Sequence, residues 1–164
     1  MGNNRKANGK KRYHQGNYPV KNTNKYMGNP EKVVYRSSWE LKMFMFLDMN
    51  DRILRWGSET ITIPYQDESA KYHRYYPDLY YEIMIGNDPN KFERIVAEIK
   101  PYKETCIPTA PLKESAKSLE SYEYQLKTYQ RNLFKWSRAK NWCEKNQMKF
   151  IIIHEGHLKN YGIL

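Results

Sequence analysis

The sequence is poor in cysteine, in long apolar runs and in glycine-rich loops. Its two cysteines, Cys106 and Cys143, show no Cys-x-x-Cys spacing, which argues against a disulfide framework and a structural zinc site. No apolar run is long enough to span a bilayer, and none follows the basic N-terminus, so we expect a cytosolic protein without a signal peptide or membrane contact. The lack of a phosphate-binding glycine loop predicts that no nucleotide cofactor is used.

Acidic residues are also scarce, since 18 Asp and Glu stand against 28 Lys and Arg, for a net charge of +10. Residues 1–36 carry +8 of this charge, from nine basic residues against Glu31 alone. A basic segment neutralises phosphates by counterion release without reading base sequence, and the tyrosines between its charges are suited to stacking on bases. We predict a flexible DNA-binding arm over residues 1–30 and a folded domain over 31–164, with a solubilising tail as the alternative.

Nine basic side chains are the candidate DNA contacts. Seven belong to the basic segment, and two precede the acidic residue Asp78, where contact with phosphate and simple solvation are both open. The candidates are Arg5, Lys6, Lys10, Lys11, Arg12, Lys21, Arg36, His73 and Arg74.

Apolar periodicity predicts the order helix, about three strands, helix, strand, which is typical of an α/β domain with a mixed sheet. The last apolar run is nearly continuous, so its strand is expected to be buried on both sides and to be central or parallel. The predicted elements are a helix over 37–49, strands over 53–56 and 60–65, hairpin strands over 72–85 and 91–100, one or two helices over 113–146, and a strand over 148–153.

The predicted hairpin sets two carboxylates side by side. Its middle, residues 86–90, is Gly-Asn-Asp-Pro-Asn, a strong turn signal. Folding the chain about this turn places Asp78 directly opposite Glu98, and Lys100 shares their face because side chains alternate along a strand. The opposite face is almost wholly apolar. We therefore expect one face of the hairpin to form core and the other to carry chemistry or solvent.

Two carboxylates beside an ammonium are the groups that metal-dependent phosphodiester hydrolysis requires. Asp78 and Glu98 offer the hard oxygen ligands that Mg²⁺ prefers, with Mn²⁺ as the alternative ion. Lys100 can orient or deprotonate the attacking water, since desolvation near a metal lowers the pKa of a lysine. The competing interpretation is that Glu98 and Lys100 form the solvated side of an amphipathic strand, because Glu-x-Lys is common by chance.

The strings Pro77-Asp78 and Glu98-Ile99-Lys100 resemble the two core motifs of the PD-(D/E)XK nuclease superfamily. This resemblance implies a restriction-endonuclease-like core with a mixed central sheet flanked by helices. It also implies a Mg²⁺-dependent DNA endonuclease that acts on double-stranded DNA. The expected metal ligands are Asp78, Glu98 and the backbone carbonyl of Ile99.

Two helical positions match further elements of that superfamily. Glu40 corresponds to an acidic residue on the helix before the sheet that contacts the metal or its water, but Ser37 and Glu40 are also spaced as a helix capping box. Gln125 and Tyr129 match the Gln-x-x-x-Tyr motif of RecB-like members and share a helix face. Tyr129 also fits the core stripe of its helix, so Gln125 is the one predicted to organise the site.

Longer strings, among them residues 35–40, 56–59 and 76–78, resemble the head completion nucleases of T-even-type tailed phages. The resemblance covers about residues 30–154. It implies a small virion-associated endonuclease that processes packaged DNA ends before tail attachment, with phage head or portal proteins as partners and the host cytoplasm and virion as locations. A structural DNA-end or portal-binding head protein and a junction or mismatch resolvase remain open as alternatives.

Overall fold

The computed structural model describes residues 14–67, 69–113 and 115–164. Its mixed α/β architecture, with a central sheet between helices, confirms the predicted fold class. In chain order the elements are β1 (Gly16–Asn17), β2 (Val34–Tyr35), α1 (Ser38–Met49), β3 (Ile53–Ser58), β4 (Ile63–Gln66), β5 (Tyr72–Tyr75), β6 (Leu79–Ile85), β7 (Asp88–Ile99), α2 (Ala116–Lys145), β8 (Lys149–Ile153) and α3 (Glu155–Asn160).

The central sheet has the spatial order β3-β6-β7-β8. The first three strands are antiparallel neighbours, and β8 pairs with β7 in parallel after the α2 crossover. The predicted strand at the end of the chain is therefore parallel but lies at the sheet edge. Its alternate residues contact the two cores, with Ile153 in one and Ile152 in the other, which explains its nearly continuous apolar sequence.

The two faces of the sheet are covered by different helices. Under α1 lies a core that contains Phe44, Trp56 and Ile153, all fully buried. Under α2 lies a second core that contains Val96 and Trp136. The sequence predicts that the face of the hairpin that carries Asp78 and Glu98 is left to chemistry or solvent. This prediction is wrong for most of that face, because the apolar stripe of α2 covers it.

The predicted hairpin register is confirmed, because β6 pairs with β7 so that Leu79 faces Ala97. Continued by one pair, this register sets Asp78 opposite Glu98. The turn contains Gly86 at φ +63°, a left-handed conformation that glycine adopts without strain.

The expected strand over 72–85 is interrupted, because β5 ends at Tyr75 and β6 begins at Leu79. Between them Pro77 has no N–H for the ladder and a fixed φ. β5 instead pairs with β4 in a separate two-stranded sheet.

Residues 14–30 belong to the folded domain, so the predicted boundary at residue 30 lies too late. Tyr18 is buried and donates a hydrogen bond to Asp48, with 2.8 Å between its hydroxyl and Oδ2. Tyr26 packs edge-on against Trp56, with ring centroids 4.7 Å apart. These two tyrosines are therefore core residues and not stacking platforms for bases. Residues 1–13 lie outside the described residues.

The helices agree with the sequence pattern. α1 has Ser37 as its N-cap, as expected from its spacing. The apolar periodicity between residues 113 and 146 corresponds to one continuous helix, α2. No helix among the described residues is both long and apolar enough to cross a membrane.

Replacing Asp48 tests how firmly the N-terminal segment is held. This carboxylate is fully buried and also accepts the backbone N–H groups of Lys21 and Asn22 at 2.8 and 3.0 Å. Asp48→Ala leaves these donors and the Tyr18 hydroxyl without an acceptor, so we expect a loss of about 3 kcal/mol in the free energy of unfolding. Urea denaturation followed by circular dichroism measures it. Asp51→Ala, at an exposed position of the next turn, is the control, and equal unfolding midpoints for the two variants would contradict the prediction.

Candidate active site

Asp78 lies at the start of β6 and is attached to both neighbouring strands. Its backbone carbonyl accepts a hydrogen bond from the Glu59 N–H of the β3 side at 3.2 Å. Its carboxylate Oδ2 accepts the backbone N–H of Ile99 on β7 at 2.7 Å. The side chain therefore caps the end of the β6–β7 ladder, with Oδ2 held by the backbone of the opposite strand.

Glu98 is buried, with only 4% of the residue exposed. Its Oε2 accepts a hydrogen bond from the Tyr75 hydroxyl at 2.7 Å, and its Oε1 lies 3.2 Å from the Lys100 ammonium. The backbone N–H of Lys100 donates to the Ile153 carbonyl at 2.9 Å, which holds Lys100 at the end of the parallel pair. The structure thus brings Asp78, Glu98 and Lys100 together as the sequence predicts.

Burial and mutual repulsion dominate the electrostatics of the carboxylate pair. Burial, followed by the charge of Glu98, raises the pKa of Asp78 to about 7, although the Ile99 N–H and Lys100 oppose this shift. Burial alone would lower the pKa of Lys100, but the charges of Glu98 and Asp78 outweigh it and raise the pKa. Beside the two carboxylates Lys100 is therefore a cation, and its lowered pKa beside a bound metal stays a prediction.

The backbone carbonyl of Ile99 is suited to join a ligand set. Continuing the observed register by two pairs sets Pro77 opposite Ile99, and Pro77 has no N–H to donate to that carbonyl. Among the described residues no three His, Cys, Asp or Glu side chains are grouped to hold a metal ion. A metal here would rest on two carboxylates, this carbonyl and water, which is a donor set that suits Mg²⁺.

Glu40 forms the helix cap. Its Oε1 accepts from the Ser37 hydroxyl and its Oε2 from the Arg36 N–H, both at 2.9 Å, while its own N–H donates to Ser37 Oγ at 3.1 Å. Its charge also contributes to the raised pKa of Asp78. The Ser37 half of the predicted capping box is confirmed, whereas the Glu40 carboxylate accepts the Arg36 N–H and not the Ser37 N–H. Glu40 lies within electrostatic range of the site. A catalytic role for Glu40 stays a prediction.

Arg36 lies at the rim of the site. Its guanidinium forms a bidentate pair with Glu59, with N–O distances of 2.6 and 3.2 Å. This pair, with smaller contributions from Glu40 and Asp78, raises the pKa of Arg36. The side chain is 56% exposed, so it remains accessible to a ligand at the carboxylates.

Gln125 is not brought to the carboxylates. Its side chain is exposed and donates to the Ser121 hydroxyl at 3.2 Å. The α2 residue beside the site is Lys135, ten positions later, which corresponds to roughly 15 Å along the helix axis. A site-organising role for Gln125 stays a prediction. Tyr129, its partner in the motif, is half-buried on the same helix.

Two site residues were missed by the sequence analysis. Lys135 places its ammonium 4.6 Å from the centre of the Tyr75 ring, whose hydroxyl holds Glu98. Burial lowers the pKa of Lys135, against the opposing charge of Glu98. Among 28 basic residues no local pattern distinguishes Lys135, and Tyr75 belongs to a strand that pairs away from β7.

The candidate DNA contacts are distributed over the chain. Lys21 is exposed at the C-terminal end of α1, whereas Glu40 lies in the first turn of that helix. His73 pairs with Asp67, with 2.6 Å between Nε2 and Oδ2, and Arg74 is exposed on β5. Five candidates lie outside the described residues, namely Arg5, Lys6, Lys10, Lys11 and Arg12.

Comparison with known proteins agrees with this geometry. The sequence profile of the TnsA-like endonuclease N-terminal family matches residues 50–155, a span that contains Asp78, Glu98, Lys100 and Lys135. The chain belongs to this endonuclease family. It is also 35% identical, over 150 residues, to the "Head completion nuclease" of Enterobacteria phage T4, an alignment that covers 91% of this chain and 96% of that relative. No solved structure gives a significant match. The resemblance to nucleases is thus confirmed for most of the chain.

The raised pKa of Asp78 predicts how the stability of this endonuclease depends on pH. Because the native state holds a proton on Asp78 that the unfolded chain releases, stability falls as pH rises from about 4 to about 7. Asp78→Asn removes this effect and keeps an acceptor for Ile99. In metal-free buffer at pH 8 we expect the variant to be more stable than the wild type by about 1–4 kcal/mol. Thermal unfolding across pH 4–9 measures this, with Asp51→Asn as control. An Asp78→Asn profile parallel to the wild type would contradict it.

Proposed function

We propose that this chain is a Mg²⁺-dependent DNA endonuclease that hydrolyses phosphodiester bonds, with Mn²⁺ as an alternative ion. The observation that carries the proposal is the carboxylate pair of buried Glu98 and half-buried Asp78, held at the end of β6 and β7 beside the Lys100 cation. Membership of an endonuclease family gives this arrangement its chemical context.

The donor set favours a hard divalent cation. Two carboxylates buried beside each other repel, as the raised pKa of Asp78 reflects, and a cation between them offsets this repulsion. Asp78, Glu98 and the Ile99 carbonyl would hold Mg²⁺, which binds oxygen ligands and retains several waters. When bound, Mg²⁺ neutralises charge on the reacting phosphate and lowers the pKa of a coordinated water.

The surrounding residues orient these ligands. The Tyr75 hydroxyl holds Glu98 Oε2, the Lys100 ammonium lies 3.2 Å from Glu98 Oε1, and the Ile99 N–H holds Asp78 Oδ2, so both carboxylates are oriented by the protein. Lys100, which is protonated, is suited to orient the attacking water and to offset the negative charge that develops on the phosphate. Glu40 is a candidate for contact with a metal-bound water.

The biological substrate is proposed from the relative and from the charge of the chain. The T4 relative is named a head completion nuclease, and a net charge of +10 favours a polyanionic substrate. We propose that the protein acts in a phage head on packaged double-stranded DNA ends before tail attachment. Head or portal proteins are its expected partners, with the host cytoplasm and the virion as its locations and no nucleotide cofactor.

Nicking of supercoiled plasmid tests the chemistry. We expect wild-type protein to nick in Mg²⁺ and not in EDTA, and Asp78→Ala and Lys100→Ala to lower the rate about 100-fold or more, since each removes a group at the reacting phosphate. Asp51→Ala, after α1, and Lys103→Ala, after β7, are matched controls, because both residues are exposed. They should nick at close to the wild-type rate.

Two results would overturn this proposal. One is wild-type protein without activity in any of Mg²⁺, Mn²⁺ or Co²⁺ on supercoiled, linear or branched DNA. The other is equal nicking by the wild type, Asp78→Ala and Lys100→Ala, which would assign the activity to another group or to a contaminant.

The basic N-terminus is proposed to strengthen DNA binding without adding sequence specificity. Deletion of residues 2–13 removes five cations while leaving the packed segment from residue 14 intact. We expect the affinity for a duplex to fall and the slope of log affinity against log salt to become shallower by up to about 4. Fluorescence anisotropy over a salt series measures both quantities. An unchanged affinity and slope would instead favour contact of this segment with a protein partner.

A further inference from the structure

The β4–β5 hairpin and α2 line a groove of about 1120 Å³, and its residues Tyr65 and His73 lie two positions along their strands from the Ile63–Tyr75 pair. The hairpin turns back into the central sheet at Pro77, so its base lies next to Asp78. The lining of the groove includes Tyr65, Asp67, His73, Lys127, Arg131 and Phe134.

We propose that this groove binds the phosphate backbone of one DNA strand and leads it to the carboxylates, with Lys127, Arg131 and Lys135 as successive phosphate contacts. This inference rests on the proposed nuclease function and names the surface that would position its substrate.

The three cations are evenly spaced along one side of α2. They are four residues apart, so their Cα atoms rise by about 6 Å per step, which is comparable to the separation of successive phosphates along a nucleic-acid strand. Lys127 and Arg131 line the groove, and Lys135 follows one turn later beside Tyr75. The row therefore runs from the groove towards the site.

The row ends at the proposed reacting centre. The Lys135 ammonium lies over the Tyr75 ring at 4.6 Å, and the Tyr75 hydroxyl is 2.7 Å from Glu98 Oε2. Arg131 is close enough to Lys135 that its positive charge contributes to the lowered pKa of that lysine. A phosphate between these two cations would relieve their repulsion.

The groove is electropositive despite the acid in its lining. The carboxylate of Asp67 accepts hydrogen bonds from the backbone N–H groups of Ser69 and Lys71 and pairs with His73. Within the described residues, Lys127, Arg131 and Lys135 form no salt bridge with a carboxylate. Their charge is therefore available to a ligand.

The lining of the groove favours one strand over a duplex. Proteins bind single strands with cations that follow the backbone and with aromatic side chains on which unpaired bases stack. The aromatic rings of Tyr65 and Phe134 in its lining are compatible with unpaired bases. We therefore expect strand separation, or a pre-existing unpaired end, where DNA enters the site.

The test compares two double variants with the same change in charge. Lys127→Gln/Arg131→Gln removes the two groove cations, while Lys140→Gln/Lys145→Gln removes two exposed cations of α2 that do not line the groove. Anisotropy with a fluorescent single-stranded oligonucleotide in EDTA measures affinity independently of cleavage. We expect the groove variant to bind at least about tenfold more weakly, with a salt slope shallower by about 1.4, and the control to resemble the wild type.

Cleavage of a duplex with an unpaired end in Mg²⁺ completes the test. The groove variant should show a raised KM with a smaller change in kcat, because it loses positioning contacts and keeps Asp78, Glu98 and Lys100. Equal single-strand affinity for the groove and control variants would overturn this inference, as would a loss confined to blunt duplex. Absence of cleavage by the wild type would instead overturn the proposed function and leave the binding comparison valid. Thermal unfolding verifies that both variants fold.

Discussion

Buried Glu98 and half-buried Asp78 place two carboxylates opposite each other at one end of the sheet, and the surrounding residues offset their repulsion. Removing two like charges from water costs free energy. The raised pKa of Asp78 indicates that a proton on this carboxylate lowers that cost. Three donors also stabilise the carboxylates, namely the Ile99 N–H, the Tyr75 hydroxyl and the Lys100 ammonium. These groups come from β5, β7 and the residue after β7, so the site forms only when the β4–β5 hairpin packs against the central sheet.

Pro77 determines how the chain is arranged around that pair. It ends the hydrogen-bond ladder of β6, which leaves Asp78 directly before the strand, and the preceding residues form part of the β4–β5 hairpin. The hairpin places the Tyr75 hydroxyl against Glu98. It also forms one wall of the groove, and α2 forms the other. One interruption of a strand therefore produces a carboxylate at a sheet end, a positioning tyrosine and a neighbouring electropositive surface.

Local patterns predicted the parts of the site that depend on strand alternation. The apolar alternation of β6 and β7 predicts the register that sets Asp78 opposite Glu98, whereas the turn closes on the pair Ile85–Asp88, which a register shift after Met84 separates from it. The residue of α2 that lies beside the site could not be predicted in this way, as Gln125 shows. Periodicity identifies which face of α2 turns inward, but not where along its length the helix crosses the sheet, and Lys135 lies there instead. Tyr18 likewise had the sequence context of a basic arm, yet its buried hydroxyl is bound to Asp48.

By itself the sequence determined the class of fold, the order of its elements and the pairing of the acidic residues, because these depend on periodicities of two and 3.6 residues that are local in the chain. The tertiary structure determined the pKa values of the site residues and which side chains surround the carboxylates. The raised pKa of Asp78, the hydrogen bond from Tyr75 to Glu98 and the position of Lys135 over Tyr75 depend on distances between segments far apart in sequence. Such distances are set by the packing of whole elements, which no local pattern records.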